Sequence, residues 1–229
     1  VRESAALALG LLGGAAAEEA LVAIATNKRA GQKMVGTDHE VDTALRAHAA
    51  IALGLATKRA GGSSRAVDTL VQLAFERHAS NEIVLSAMVA LGWSGDIRAV
   101  PRVLEIARST EDDLVRAYAV TALGRLGDRA SLSAVIAILG DKSAHARRSA
   151  AVALGTLATP VDAKAIEALR QVAADDTDAM TRGSALVAIG EIGGIPQETW
   201  LASMMASDDD HTSTFAALSL GLAAGTSRK

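Results

Sequence analysis

Apolar residues recur along this chain at spacings of three, four and seven, and one phrase carrying that rhythm returns seven times in the same register. Its central copy is LVRAYAVTALGRLG, residues 114 to 127; the others begin at Val1, Leu45, Ile83, Ala146, Thr181 and Thr212. All align without a gap on one glycine: Gly10, Gly54, Gly92, Gly124, Gly155, Gly190 and Gly221. Apolar positions nine, five, two and one before the glycine follow the period of a helix rather than the alternation of a strand. Alanine always stands five before it, at Ala5, Ala49, Ala87, Ala119, Ala150, Ala185 and Ala216, and a small residue two before it. Small side chains fixed on an apolar face let a second helix approach closely. Each copy therefore predicts a buried inner helix, and steps of 44, 38, 32, 31, 35 and 31 residues predict stacked supersecondary units.

The stretches between copies predict an outer helix for each pair. Residues 1 to 12 form an inner helix with no outer partner before it, so the chain reads as cut from a longer array. Residues 15 to 27 supply an outer helix, and 28 to 40, KRAGQKMVGTDHE, a polar insertion. The next inner helix starts near Val41. A second loop at 58 to 64 repeats the word KRAG and leads to an outer helix over 65 to 77. Asp96 suits the N-cap of IRAVPRVLEIARS, inside which Pro101 should bend the helix. Asp128 opens an outer helix through Leu139, and Pro160 and Pro196 stand at the starts of two more, where proline is tolerated. Gly13, Gly95, Gly127 and Gly193, three residues after the aligned glycine, are placed to end inner helices in a left-handed conformation. The expectation is one domain over residues 1 to 229, with seven inner and six outer helices.

Composition narrows the function. Half of the 229 residues are hydrophobic, only 2% are aromatic and three are proline, which suits alanine-rich helices. A formal net charge of −3 sets up no general attraction for nucleic acid or anionic membrane, and no apolar run is long enough for a bilayer. Without cysteine there are no disulfides, thiolate ligands or thiol nucleophiles.

The phrases VRAYAVTALGRLGD and GDIRAVPRVLEIA resemble the inner and outer helices of HEAT-like repeats, of the type found in phycobilisome-lyase-like repeat proteins. The resemblance implies an all-α, right-handed α-solenoid of antiparallel helix pairs, with inner helices lining the concave side. It implies little about chemistry, since such solenoids are mostly scaffolds that bind macromolecules along an extended surface. Arginine recurs eight residues before the glycine at Arg2, Arg46, Arg116, Arg147 and Arg182, replaced by Val84 and Ser213 in two copies, and four residues before that column stand Asp42, Asp112, Asp178 and Asp209. An acid in the first turn caps a helix and can pair with a base one turn on. A ladder tying neighbouring repeats is favoured over an arginine stripe for phosphates.

Among enzymes with this repeat, deoxyhypusine hydroxylase holds iron with His-Glu pairs near the start of inner helices. None of the matching positions here carries that pair. His39-Glu40 is the one such dipeptide and lies in the long insertion beside Asp38. His78, His145 and His211 are scattered near helix junctions, and no nucleophile elbow, P-loop or dinucleotide fingerprint occurs. HEAT-like DNA glycosylases need many basic phosphate contacts, which this mildly acidic chain does not offer.

The expectation is a non-catalytic protein-interaction scaffold that binds a protein or peptide segment along its concave face, without metal or cofactor. An enzyme or enzyme subunit built on the same solenoid is the second choice. Helical unwrapping points the positions seven, four and three before the glycine into the groove, with the residue after it at the edge. Two readings of that stripe remain open: it is buried between adjacent inner helices, or it is an apolar groove for an amphipathic or extended segment. Leu85, Met88, Trp93, Tyr118 and Arg125 are the partner-binding candidates, with Trp93 as anchor. Uncovered solenoid ends are expected to favour self-association.

Overall fold

A computed structural model describes residues 1–60, 63–76 and 79–226, and every regular element among them is helical. Gly61 and Gly62 of the second loop, and Arg77 and His78 beside it, lie outside the described residues. The chain divides into two compact units, Val1–Leu126 and Gly127–Lys229. In the first, the inner helices are α1 (Arg2–Leu12), α4 (Thr43–Ala60), α6 (Asn81–Ser94) and α8 (Asp113–Leu126). Outer helices α2 (Ala15–Ala25), α5 (Ser64–Ala74) and α7 (Val100–Ser109) alternate with them, and a short α3 (Arg29–Met34) follows α2. In the second, inner helices α10 (Ala144–Leu157), α12 (Ala179–Ile192) and α14 (Asp210–Thr226) alternate with α9 (Leu132–Ile138), α11 (Ala163–Asp175) and α13 (Ile195–Met204). This is the all-α solenoid class that the repeats predict.

Three local expectations need correction. The insertion after residue 27 is not all loop: α3 forms there, and buried Gly31 lets it lie against the backbone of Ala23 and Ile24. The word KRAG does not mark equivalent loops, because Lys58, Arg59 and Ala60 are the last turn of α4. Pro101 does not bend a helix. A 3₁₀ turn over Ile97–Ala99, capped by the Asp96 carboxylate on the Arg98 amide at 3.0 Å, absorbs the entry, and Pro101 falls in the first turn of α7. First-turn amides have no partner within the helix, so the proline costs no hydrogen bond there. Gly95 ends α6 in the left-handed conformation as expected, with φ 68° and ψ 11°, whereas Gly13 and Gly193 share the positive φ but turn out to an extended ψ.

The aligned glycine is explained by what lies against it. Successive inner helices pack side by side, α1 on α4, α4 on α6 and α6 on α8 in the first unit, α10 on α12 and α12 on α14 in the second. At each seam the glycine of one helix meets the small residue two before the glycine of the next. A methyl group built on Gly10 would stand 2.8 Å from the Ala52 Cα, on Gly54 2.7 Å from the Ala90 Cα, and on Gly92 3.0 Å from the Ala122 Cα. Gly155 meets Ala188 and Gly190 meets Ser219 in the same way, at 3.1 and 3.0 Å. At Gly10, Gly54 and Gly190 the methyl group would also strike the neighbouring carbonyl oxygen, so those seams close only on glycine; at Gly92 and Gly155 the facing helix would have to give by a few tenths of an ångström. The alanine five before the glycine is fully buried in six copies, where an outer helix covers it; in α1 the equivalent Ala5 is exposed.

Candidate interaction surface

In the first unit α4 and α6 thus pack on three sides: the preceding inner helix, an outer helix and the following inner helix. At 100° per residue, the arc left open centres on the positions ten, six and three before the glycine and the one after it. In the first unit this open stripe reads Ala44, His48, Ile51 and Leu55 on α4, Glu82, Ser86, Val89 and Trp93 on α6, and Leu114, Tyr118, Thr121 and Arg125 on α8. All twelve are at least partly exposed, with Leu114 at 45% and Tyr118 at 38%. In the second unit the same register exposes Val152, Met180, Leu218 and Leu222.

The predicted groove is therefore rotated from the real one by one column. Met88 is a correction: it is completely buried, as are Ala50, Val120, Ala151 and Leu186, which share its column. On α4 and α6 that column faces the flank of the following inner helix. Unwrapping one helix against a single core face misses this third contact. Leu85, at the margin of the same flank, is half-buried. Trp93, Tyr118 and Arg125 do lie on the open stripe, and the structure brings two of them together, with the Arg125 guanidinium 5.9 Å from the centre of the Trp93 ring. The Arg125 stem crosses Gly92, where a methyl group would stand 3.3 Å from its Cδ. Val89, three before the glycine, also lies on the open stripe as expected, whereas Leu114 was missed, although its spacing of four from Tyr118 marks the same face.

The second unit places Glu191 in the register of Arg125, with its carboxylate against Gly155, and partial burial raises its pKa. The two open faces carry opposite charges at one structural position.

Four of the recurring arginines, Arg46, Arg116, Arg147 and Arg182, are occupied. Arg46 donates to the Ala25 carbonyl at 2.9 Å and to the Glu76 carboxylate at 2.7 Å; Arg147 donates to the Asp141 carbonyl and grips both Asp176 oxygens at 2.7 Å. Arg182 repeats the scheme on the Asp176 carbonyl and Asp209. Each ties the end of its own outer helix to the acid that precedes the next inner helix. The ladder is real, but its rungs run forward about one repeat rather than to the aspartate four residues back. Those aspartates cap: Asp42 and Asp112 accept from amides two and three residues on, and Asp178 and Asp209 accept from Thr181 and Thr212. The Thr181 hydroxyl, followed by Arg148, holds the Asp178 carboxyl at a pKa of about 2, and the Thr212 hydroxyl with Arg182 does the same for Asp209.

His39, Glu40 and Asp38 are exposed after α3, and no group of three or more histidine, aspartate or glutamate side chains among the described residues is placed to hold a metal ion. No helix among them is long and apolar enough to cross a membrane.

The model of the HEAT repeats family matches residues 37–117 and 100–190, and that of the PBS lyase HEAT-like repeat matches residues 1–27. No curated protein sequence matches the chain. Among solved structures, it is similar to the complex of CpcE and CpcF of phycocyanin lyase from Nostoc sp. PCC7120, at 21% identity over 86% of this chain and 74% of that one, TM-score 0.58. It is also similar to a mutant of Kap121p, at 17% identity over 89% of this chain and 24% of that one, TM-score 0.59. Human deoxyhypusine hydroxylase aligns at 17% identity over 97% of this chain and 89% of that one, with a TM-score of 0.43. The likeness to the lyase complex corrects the expectation of a chain that is not an enzyme: that complex carries the same fold, so an all-helical repeat architecture is no ground for excluding catalysis. The matched stretches together run from residue 37 to residue 190, more than half of the sequence, and the chain belongs to the HEAT repeats family.

Proposed function

We propose that the chain is a protein-interaction scaffold and that the open stripe of α4, α6 and α8 receives a segment of its partner. One observation carries the reading: Trp93, Tyr118 and Arg125 stand at least partly exposed in one register of α6 and α8, helices that pack against each other and against outer helices. Tryptophan, tyrosine and arginine dominate interface hot spots because each offers a large contact area at small entropic cost, with a polar handle. Rigid inner helices present them without a folding step. The CpcE–CpcF complex is an instance of this fold in an assembly of two chains.

The test is affinity capture from the source cell with the chain and with its Tyr118→Asp variant, followed by reconstitution of the captured protein with purified chain. A defined protein that binds the parent chain directly and is lost with the variant, at unchanged helical content, is the expected result. Equal capture by both would move the interface off this face.

A further inference from the structure

The charge on the open stripe narrows its occupant. Arg46, Arg147 and Arg182 spend their donors on carbonyls and carboxylates within the fold. Arg125 does not. Among the described residues no carboxylate or carbonyl accepts from it; its stem lies over Gly92 and its guanidinium lies 5.9 Å from the centre of the Trp93 ring. The ring beside it attracts the cation without using its N–H donors, which stay available to a partner. Lys58, in the last turn of α4, is a second exposed cation at the carboxyl-terminal end of the inner helices, and no ion pair among the described residues involves it. A cation in a last turn also suits the helix dipole, which accounts for a base there but not for its place beside Trp93. From that end Tyr118, Val89 and Ile51 lead along the stripe, partly exposed, to Leu114 at its amino-terminal end, where the stripe's one acid in this unit, Glu82, also stands away from Arg125.

Resting on the interaction reading above, we infer that this face recognises an acidic, partly apolar peptide segment. An aspartate or glutamate of the segment pairs edge-on with Arg125 while its aliphatic or aromatic neighbours cover Tyr118 and Leu114. A carboxylate meets the planar fork through two parallel hydrogen bonds, which a basic or neutral segment cannot make. The second unit is the internal contrast, since Glu191 occupies the same register and would repel such a segment.

The probe is a random twelve-residue peptide library, displayed on phage and selected on the purified chain; the best binders are then synthesised and measured by fluorescence anisotropy. Enriched peptides should share an acidic residue beside an aliphatic or aromatic one. Their Kd should weaken at least tenfold on Arg125→Gln, and equally when the peptide's acid is replaced by its amide. The two changes together should cost no more than either alone. Arg125→Lys should recover only part of the affinity, Glu191→Gln should leave it unchanged, and raising the salt should weaken it. Circular dichroism on each variant separates lost contacts from lost fold. Peptides that need Tyr118 but ignore Arg125→Gln would overturn the acidic assignment and leave the interaction face standing. A selection whose binders are indifferent to both Tyr118→Ala and Arg125→Gln, or that yields no binders, would overturn both.

Discussion

At the scale of single residues, the aligned glycine and the buried alanine do different work, and substitutions should separate them. Gly54 abuts the Ala90 backbone, so Gly54→Ala must push α4 and α6 apart, at about 1–3 kcal/mol, the usual cost of overpacking. Gly221 has nothing within 4 Å of an added methyl group and lies within α14, so Gly221→Ala should stabilise by about 0.5–1 kcal/mol through helix propensity. Opposite signs of the change in melting midpoint check the pair; equal signs would mean that the inner seam does not set the glycine. Ala119 is fully buried, and Ala119→Leu should cost about 1–3 kcal/mol in the same measurement. Met88→Asp places a carboxylate in a site with no solvent exposure, so it should unfold the chain rather than report on binding, visible as loss of the 222 nm signal.

At the scale of elements, α1 shows what an outer helix contributes. Its Ala5, Ala8 and Leu12 are exposed although the same columns are buried in the middle copies. Hydrogen exchange at Leu7 should therefore be much faster than at Leu123, and concentrated solutions should associate through that face. Exchange at equal rates in a monomeric sample would contradict this. The capping acids predict a pH response. Asp178 titrates at about 2 in the folded chain against an ordinary value of 3.8, so its stabilising contribution is full above about pH 4 and is lost as pH falls toward 2. Thermal melts should show the midpoint falling through that window, and Asp178→Asn should remove part of the fall while lowering stability at neutral pH. The elements themselves were legible because the apolar columns are periodic and the caps local. α3 was not, because a six-residue helix that rests on Gly31 against α2 depends on a tertiary contact that leaves no period in the sequence. Pro101 was misread for a related reason: a 3₁₀ turn shifts the helix start by three residues without altering the apolar pattern.

At the scale of the whole molecule, each unit presents an open stripe on its inner helices, and the two stripes differ at one register, Arg125 against Glu191. A partner that engages one should not engage the other on the same terms. The candidate surface was half legible. Trp93, Tyr118 and Arg125 could be chosen as large or charged residues on the polar edge of an alanine-rich helix. Met88 could not be excluded, because its burial comes from the next repeat and not from its own helix. The central claim, that the partner docks on this stripe, is tested most directly by site-specific photo-crosslinking in the source cell. A photoreactive amino acid replaces Tyr118 on α8 in one experiment and exposed Gln72 on the outer helix α5 in another. The account predicts a discrete crosslinked product from position 118, containing one partner polypeptide, and none from position 72. A discrete product from position 72 with none from position 118 would contradict it.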